Sequence, residues 1–172
     1  MNNNFRYQIE YYHRSVPLYE ELSRIFEYLL EKILDKHLIN VEYVIQKRVK
    51  SISSFADKLY RKTEGGTRIY NVTDICGIRI ILPNLESVNK VSALIRESFR
   101  IDDINSGDML EGYTVDQFGY RSVHFIAKLY PKKIYKKKYT LRSLWIPRFF
   151  TRMSAEIQVR TYLQHSWAVV HH

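Results

Sequence analysis

At 172 residues with 45% hydrophobic content, the chain is long enough for one domain with a sizeable core. Its 27 Lys and Arg against 18 Asp and Glu give a net charge of +9, which favours polyanionic partners such as nucleotides, RNA or anionic lipid. Cys76, the single cysteine, excludes an internal disulfide. No N-terminal run reads as a secretion signal and no apolar stretch nears the ~20 residues that cross a bilayer, so a cytoplasmic protein with no membrane partner is expected.

From about Pro17 to His37, Leu18, Leu22, Ile25, Leu29 and Ile33 recur at four- and three-residue steps, which predicts an amphipathic helix. Val41, Tyr43, Ile45 and Val49 then suggest a strand that delivers Arg48 and Lys50 together at its C-terminal end. Ser51 and Ser54 can cap a following helix through Lys58 and Arg61, ended by Gly65-Gly66. A helix start beside a strand end suits an anion. Ile78 to Leu82 reads as a short buried strand stopped by Pro83-Asn84, and Leu85 to Phe99 as a helix. The polar segment from Asp102 to Phe118 reads as a long loop expected over the site. Ser122 to Tyr130 and Ala155 to Val159 are predicted strands, the second leading into a helix from about Thr161. Between them, Lys132, Lys133 and Lys136 to Lys138 interleave with Tyr130, Tyr135 and Tyr139. That pattern fits a hairpin contacting phosphates and bases, and equally an edge hairpin guarded by its lysines.

Arg48, Lys50, Lys58 and Arg79 would each pass singly for a solvated surface charge, but their grouping in short blocks suggests a polyphosphate site. Asp74, just before one buried strand, and Glu156, at the start of another, are costly there unless they face a cleft or bind something. A Mg²⁺ shared with substrate phosphates is one solution; a turn residue at Asp74 and a strand-edge ion pair at Glu156 are the plain alternatives. Cys76 reads as a packed thiol, and the histidines give no zinc spacing.

In chain order, the blocks are R-V-K-S from Arg48, D-I-C-G-I-R from Asp74, F-G-Y-R-S-V-H from Phe118 and A-E-I-Q-V-R-T-x-x-Q-H-x-W-A from Ala155. In this order they resemble the synthetase domain of the RelA/SpoT-like alarmone synthetases, in particular their small single-domain members. The resemblance covers about Val41 to His172. It implies an α/β (α+β) fold, a mixed five-stranded sheet flanked by helices of nucleotidyltransferase-like type, over 41–172 after an N-terminal helical segment at 1–40. It also implies transfer of the β,γ-pyrophosphate of ATP to the 3′-hydroxyl of GDP or GTP, making (p)ppGpp and leaving AMP.

By motif position, the resemblance implies that Arg48 and Arg79 sandwich the adenine, and that Lys50, Ser54 and Lys58 hold the ATP phosphates with Arg61 nearby. Asp74 would hold Mg²⁺. Glu156 would contact the same metal and orient or deprotonate the attacking hydroxyl. Tyr120 would stack on the acceptor base, His124 and Gln158 would line its pocket, and Arg121 and Arg160 would reach phosphates.

Two departures shape the expectation. Where alarmone-making relatives carry a basic acceptor loop, Glu111 to Phe118 is acidic, and the D-x-F-G-Y-R-S-V-H form resembles a toxin-like branch. Some of that branch pyrophosphorylate the 3′-CCA end of tRNA. The chain also stops at His172, where relatives continue, so a domain truncated at its C-terminal side stays open, as does an inactive nucleotide- or RNA-binding remnant. An antitoxin partner and homo-oligomerisation are further expectations from the family. Bifunctional members of the family carry a separate metal-dependent hydrolase domain with a His-Asp pair; this sequence has no His-Asp dipeptide, so the resemblance implies no alarmone hydrolysis.

Overall fold

The computed structural model describes residues 3–62, 72–111, 120–130 and 146–170. Among these residues four α-helices and six strands follow in the order α1 (Asn3–His37), β1 (Val44–Val49), α2 (Ile52–Lys62), β2 (Cys76–Leu82), α3 (Leu85–Ser98), β3 (Arg100–Ile101), β4 (Gly107–Glu111), β5 (Tyr120–Lys128), β6 (Ser154–Thr161) and α4 (Tyr162–Val170), with a short 3-10 helix at Arg148–Arg152 before β6. All six strands form one mixed sheet in the order β1-β2-β6-β5-β3, with β4 also on β5. Among the described strands only β2 and β6 run parallel. Since β3 and β4 share the outer edge of β5, pairing Arg100 with Lys128 and Gly107 with His124, they fill one sheet position in two pieces. The expected five-stranded mixed sheet is therefore met.

Strict alternation divides the sheet into two faces. Cys76, Ile78, Ile80 and Leu82 of β2, Ala155, Ile157 and Val159 of β6, and Phe125 and Ala127 of β5 join one buried cluster with apolar residues of α1 and α3. Leu22, Phe26, Leu29, Ile33 and others of α1 recur at helical spacing and supply a large share of that core. The intervening sheet residues face the other way, and α4 packs on that opposite face against β2, β5 and β6.

Strand ends shift by two or three residues, β1 starting at Val44 and β5 running Tyr120–Lys128, and two larger differences stand out. The first helix starts at Asn3, and Pro17 lies inside it. Proline commonly opens a helix, but here the turns before it are tied down by tertiary packing: Tyr12 is fully buried in a second cluster with Phe55, Leu59, Val72 and Ile75. The segment read as a loop from Asp102 carries β4 at Gly107–Glu111, whose pairing with β5 outweighs the poor strand propensity of its Gly and Asp. Residues 112–119 lie outside the described residues, as do Gly65-Gly66 and the lysine-tyrosine hairpin beyond Tyr130.

Local chemistry sets the other ends. Asn84 caps α3 by accepting a hydrogen bond from the Ser87 amide at 2.9 Å. After α1, Asn40 turns the chain with φ of 58°, a left-handed conformation that asparagine tolerates. No described helix is long and apolar enough to cross a membrane.

Candidate active site

Strand register assembles the site in two rows on the face opposite the main core. One row runs Gln46, Arg79, Gln158 and His124 across β1, β2, β6 and β5; the next runs Arg48, Gly77, Glu156 and Ile126. A cleft of about 770 Å³ opens over the β1-β2-β6 part of these rows, and Lys50, Asp74, Arg79 and Glu156 all line it. At the far end of the same face Ile81 and Arg160, a register pair, are buried.

The cation cradle stands where β1 hands over to α2. Ser51 starts that helix: its carbonyl accepts from the Phe55 amide at 2.9 Å and its Oγ from the Ser54 amide at 3.2 Å. Lys50 is fixed through its backbone, whose amide donates to the Ile75 carbonyl at 2.9 Å and whose carbonyl accepts from the Tyr12 hydroxyl. Its Nζ lies 3.1 Å from Asp74 Oδ2, and Lys58 Nζ, reaching from α2, lies 2.6 Å from the same oxygen. Burial alone would raise the Asp74 carboxyl, but the Lys58 and Lys50 ammoniums outweigh it and hold the group below the usual carboxylate range.

Glu156 is gripped differently. His124 Nδ1 lies 3.0 Å from its Oε1, and Gln158 Nε2 donates to its Oε2 at 3.3 Å. On the far side of the imidazole, Nε2 meets Ser122 Oγ. Gln158 in turn accepts from Arg79 Nε at 3.3 Å, and Gln46 accepts from Arg79 Nη1 at 3.4 Å. One polar chain spanning four strands thus links the Glu156 carboxylate to the Arg79 guanidinium, which restrains both groups.

The predicted residues fall into three sets. Arg48, Lys50, Asp74, Arg79, Glu156 and Gln158 line the cleft, while Lys58 and His124 reach its carboxylates directly. Ser54 sits in the first turn of α2, its Oγ accepting from Ser51 Oγ at 2.9 Å; Arg61, a turn beyond Lys58, is exposed and outside the cleft lining. Arg160 is buried at 3% exposure, one row past Gln158. Tyr120 and Arg121 belong to β5 by backbone pairing with Glu111 and Leu110, and their side chains lie outside the described residues.

Several contributors escaped the sequence reading. Gln46 and Ser122 could have been found by counting two residues back from Arg48 and His124 on their strands. Tyr12 could not, because its bond to Lys50 joins residues 38 apart. His165 of α4 also belongs here: burial, then the charges of Arg160 and Arg79, lower its pKa, and its buried Nδ1 has no hydrogen-bond partner among the described residues. Cys76 faces the core, fully buried, and burial pushes its thiol up to about 12, so it is no nucleophile.

The donor set suits a hard divalent cation. Asp74 Oδ1 is buried without a hydrogen-bond partner among the described residues, and an oxygen left so costs ~1–3 kcal/mol. Glu156 lines the same cleft. Among the described residues no group of three or more His, Cys, Asp or Glu side chains forms a cage. Two carboxylates and no cage match an ion such as Mg²⁺, which takes one or two carboxylates and completes its shell with phosphate and water.

Comparison with known proteins gives the family and the fold. The chain is 27% identical over 128 residues to the GTP pyrophosphokinase YjbM and 28% identical over 130 residues to the GTP pyrophosphokinase YwaC, both of Bacillus subtilis. These matches take in 73% and 74% of this chain but 52% and 55% of the relatives, so the chain spans about half the length of the curated proteins it matches. The small alarmone synthetase 1 of Bacillus subtilis, solved bound to its product pppGpp, shares the fold with a TM-score of 0.68 at 22% identity; the match covers 95% of this chain and 78% of that one. The model for the region found in RelA / SpoT proteins matches residues 47–172, a stretch that carries both carboxylates and every predicted cation of the cleft, and the chain belongs to that family.

Proposed function

We propose that this chain is the synthetase core of an ATP-dependent pyrophosphokinase that transfers the β,γ-pyrophosphate of ATP to the 3′-hydroxyl of GDP or GTP, yielding (p)ppGpp and AMP. The observation that carries this reading is the pairing of a lysine cradle on Asp74 with a separately restrained Glu156 in one cleft.

The register favours the assigned adenine site. Arg48 lies opposite Gly77, so Arg79 is its diagonal neighbour on the same face. Such neighbours stand about 7–8 Å apart, close to two stacking separations of ~3.5–4 Å, so a flat base fits between the guanidinium planes. Lys50 and Lys58, one at a strand end and one a turn inside α2, then receive the phosphates.

Glu156 accepts the proton of the attacking 3′-hydroxyl as its oxygen bonds to the β-phosphorus. The bond from that phosphorus to the α–β bridging oxygen breaks, and AMP leaves with the bonding pair. His124 and Gln158 hold the carboxylate in place for this, so alignment and charge neutralisation carry the catalysis without a covalent enzyme intermediate. A Mg²⁺ held by Asp74 and Glu156 would supply further neutralisation of the phosphate oxygens.

Purified protein incubated with γ-labelled ATP, Mg²⁺ and GDP, GTP or deacylated tRNA tests the proposal. Label in a guanosine nucleotide, with AMP released, is the expected result. Label in tRNA would instead assign the toxin-like reaction, and label in neither a binding remnant.

A further inference from the structure

Asp74 does two things that pull against each other. It lines the cleft with a buried Oδ1 that has no hydrogen-bond partner among the described residues, while its Oδ2 takes both ammoniums of the phosphate cradle, at 3.1 and 2.6 Å. Nor can it retreat. Asp74 sits in a two-residue turn between Val72, 4% exposed, and Ile75, 1% exposed, both packed in the cluster with Tyr12 and Phe55. The Ile75 carbonyl is tied to the Lys50 amide.

We propose that Asp74 is a specificity-determining residue: in the free protein its carboxylate stands in for polyphosphate on Lys50 and Lys58, so that the cradle favours metal-loaded over metal-free polyphosphate. This deepens the proposed function and rests on its placement of the phosphates on those lysines. A metal-free polyanion must take the two ammoniums from Asp74 and leave a fixed, partly buried carboxylate beside new negative charge, which is repulsive at short range. A polyphosphate that brings a divalent cation removes the conflict, because the carboxylate that the lysines uncover as they change partners can engage that cation. The acid thereby sets a threshold against the many metal-free anions that a cleft with this much positive charge would otherwise collect.

Calorimetric titration with inorganic tripolyphosphate tests the idea, with EDTA and with excess Mg²⁺. The proteins compared are wild type, Asp74→Asn, Asp74→Ala and, as a charge control, Asp57→Asn on the exposed face of α2. Melting curves establish which variants are folded. In EDTA, Asp74→Asn and Asp74→Ala are expected to bind roughly tenfold more tightly than wild type or more, with Asp57→Asn close to wild type. Mg²⁺ should tighten wild type by a similar factor and leave the Asp74 variants unimproved.

Equal or weaker binding by the folded Asp74 variants in EDTA would overturn the inference, as would an equal gain in Asp57→Asn. So would a wild-type affinity indifferent to Mg²⁺, an arm that needs no variant to fold. The expected tripolyphosphate pattern without labelled product from ATP would sink the pyrophosphokinase reading and leave the selectivity standing. Labelled product without that pattern would do the reverse.

Discussion

Glu156→Gln separates chemistry from binding and fold. The amide can rebuild both contacts of the carboxylate. Its oxygen can accept from Gln158 Nε2, and its NH₂ can donate to His124 Nδ1 if the imidazole moves its proton to Nε2 and donates to Ser122 Oγ. In the opposite orientation the NH₂ would face the Gln158 amide nitrogen, losing one hydrogen bond worth ~0.5–1.5 kcal/mol. The fold therefore loses at most about that much. Turnover should lose the contribution of a positioned general base, about 10²–10⁴-fold, or about 2.7–5.4 kcal/mol of transition-state stabilisation. None of the cradle contacts includes Glu156, so a non-hydrolysable ATP analogue should bind the variant as it binds wild type in the absence of metal. Single-turnover transfer from γ-labelled ATP at saturating substrates, with a melting curve, reads all three quantities. Near-wild-type transfer would remove Glu156 from the proton-accepting role. A melting temperature lowered far beyond the cost of one hydrogen bond would mean that the His124–Glu156–Gln158 chain is structural first.

Four further outcomes follow from particular contacts. A Cβ at Gly77 would meet only the Arg48 carbonyl oxygen, at an ordinary 3.6 Å, so Gly77→Ala should fold normally; Gly77→Val should fill the floor between Arg48 and Glu156 and raise the KM for ATP more than it lowers kcat. Acidification should destabilise the protein through His165: its folded pKa is lowered, the unfolded chain takes the proton first, and stability is lost as pH falls through the ordinary histidine range. Urea melts of His165→Gln should show a flatter pH dependence there, and an unchanged slope would refute the assignment. Iodoacetamide should label Cys76 only after denaturation, since burial holds the thiol protonated and out of reach. Tyr12→Phe should cost about 1–3 kcal/mol by leaving the Lys50 carbonyl without its donor, and should weaken ATP-analogue binding through the displaced lysine, both read by melting and calorimetry.

Much of the site was legible because strand periodicity and local blocks coincide. Ile78, Ile80 and Leu82 announce a buried strand, and once that face is set, Arg79 must look the other way. The same count puts Glu156 and Gln158 together against Ile157 and Val159. What escaped depends on distant partners. Nothing local in Gly107–Glu111 announces a strand, and Pro17 reads as a helix opening because its neighbours' burial against α2 and the Asp74 turn is invisible to periodicity. Nor does any spacing reveal that Lys50 and Lys58 rest on one oxygen of Asp74 rather than open to solvent.

The place of β6 in the sheet has a consequence for how the protein comes into being. It is the last of the described strands yet lies between β2 and β5, joining Gly77 to Glu156 in the only parallel pair among them and closing a loop across a sequence separation of 79 (156 − 77). Until it docks, two central strands present open edges and Glu156 lies far from the cradle. Loop closure of that span and non-local parallel pairing are slow relative to helix formation, so α1 and α3 should form well before the cleft does. In refolding from urea, the helical signal should return in a fast phase and nucleotide binding only in the later phase that seats β6. Chaperones, or partners that bind sheet edges, would find their opportunity in that interval.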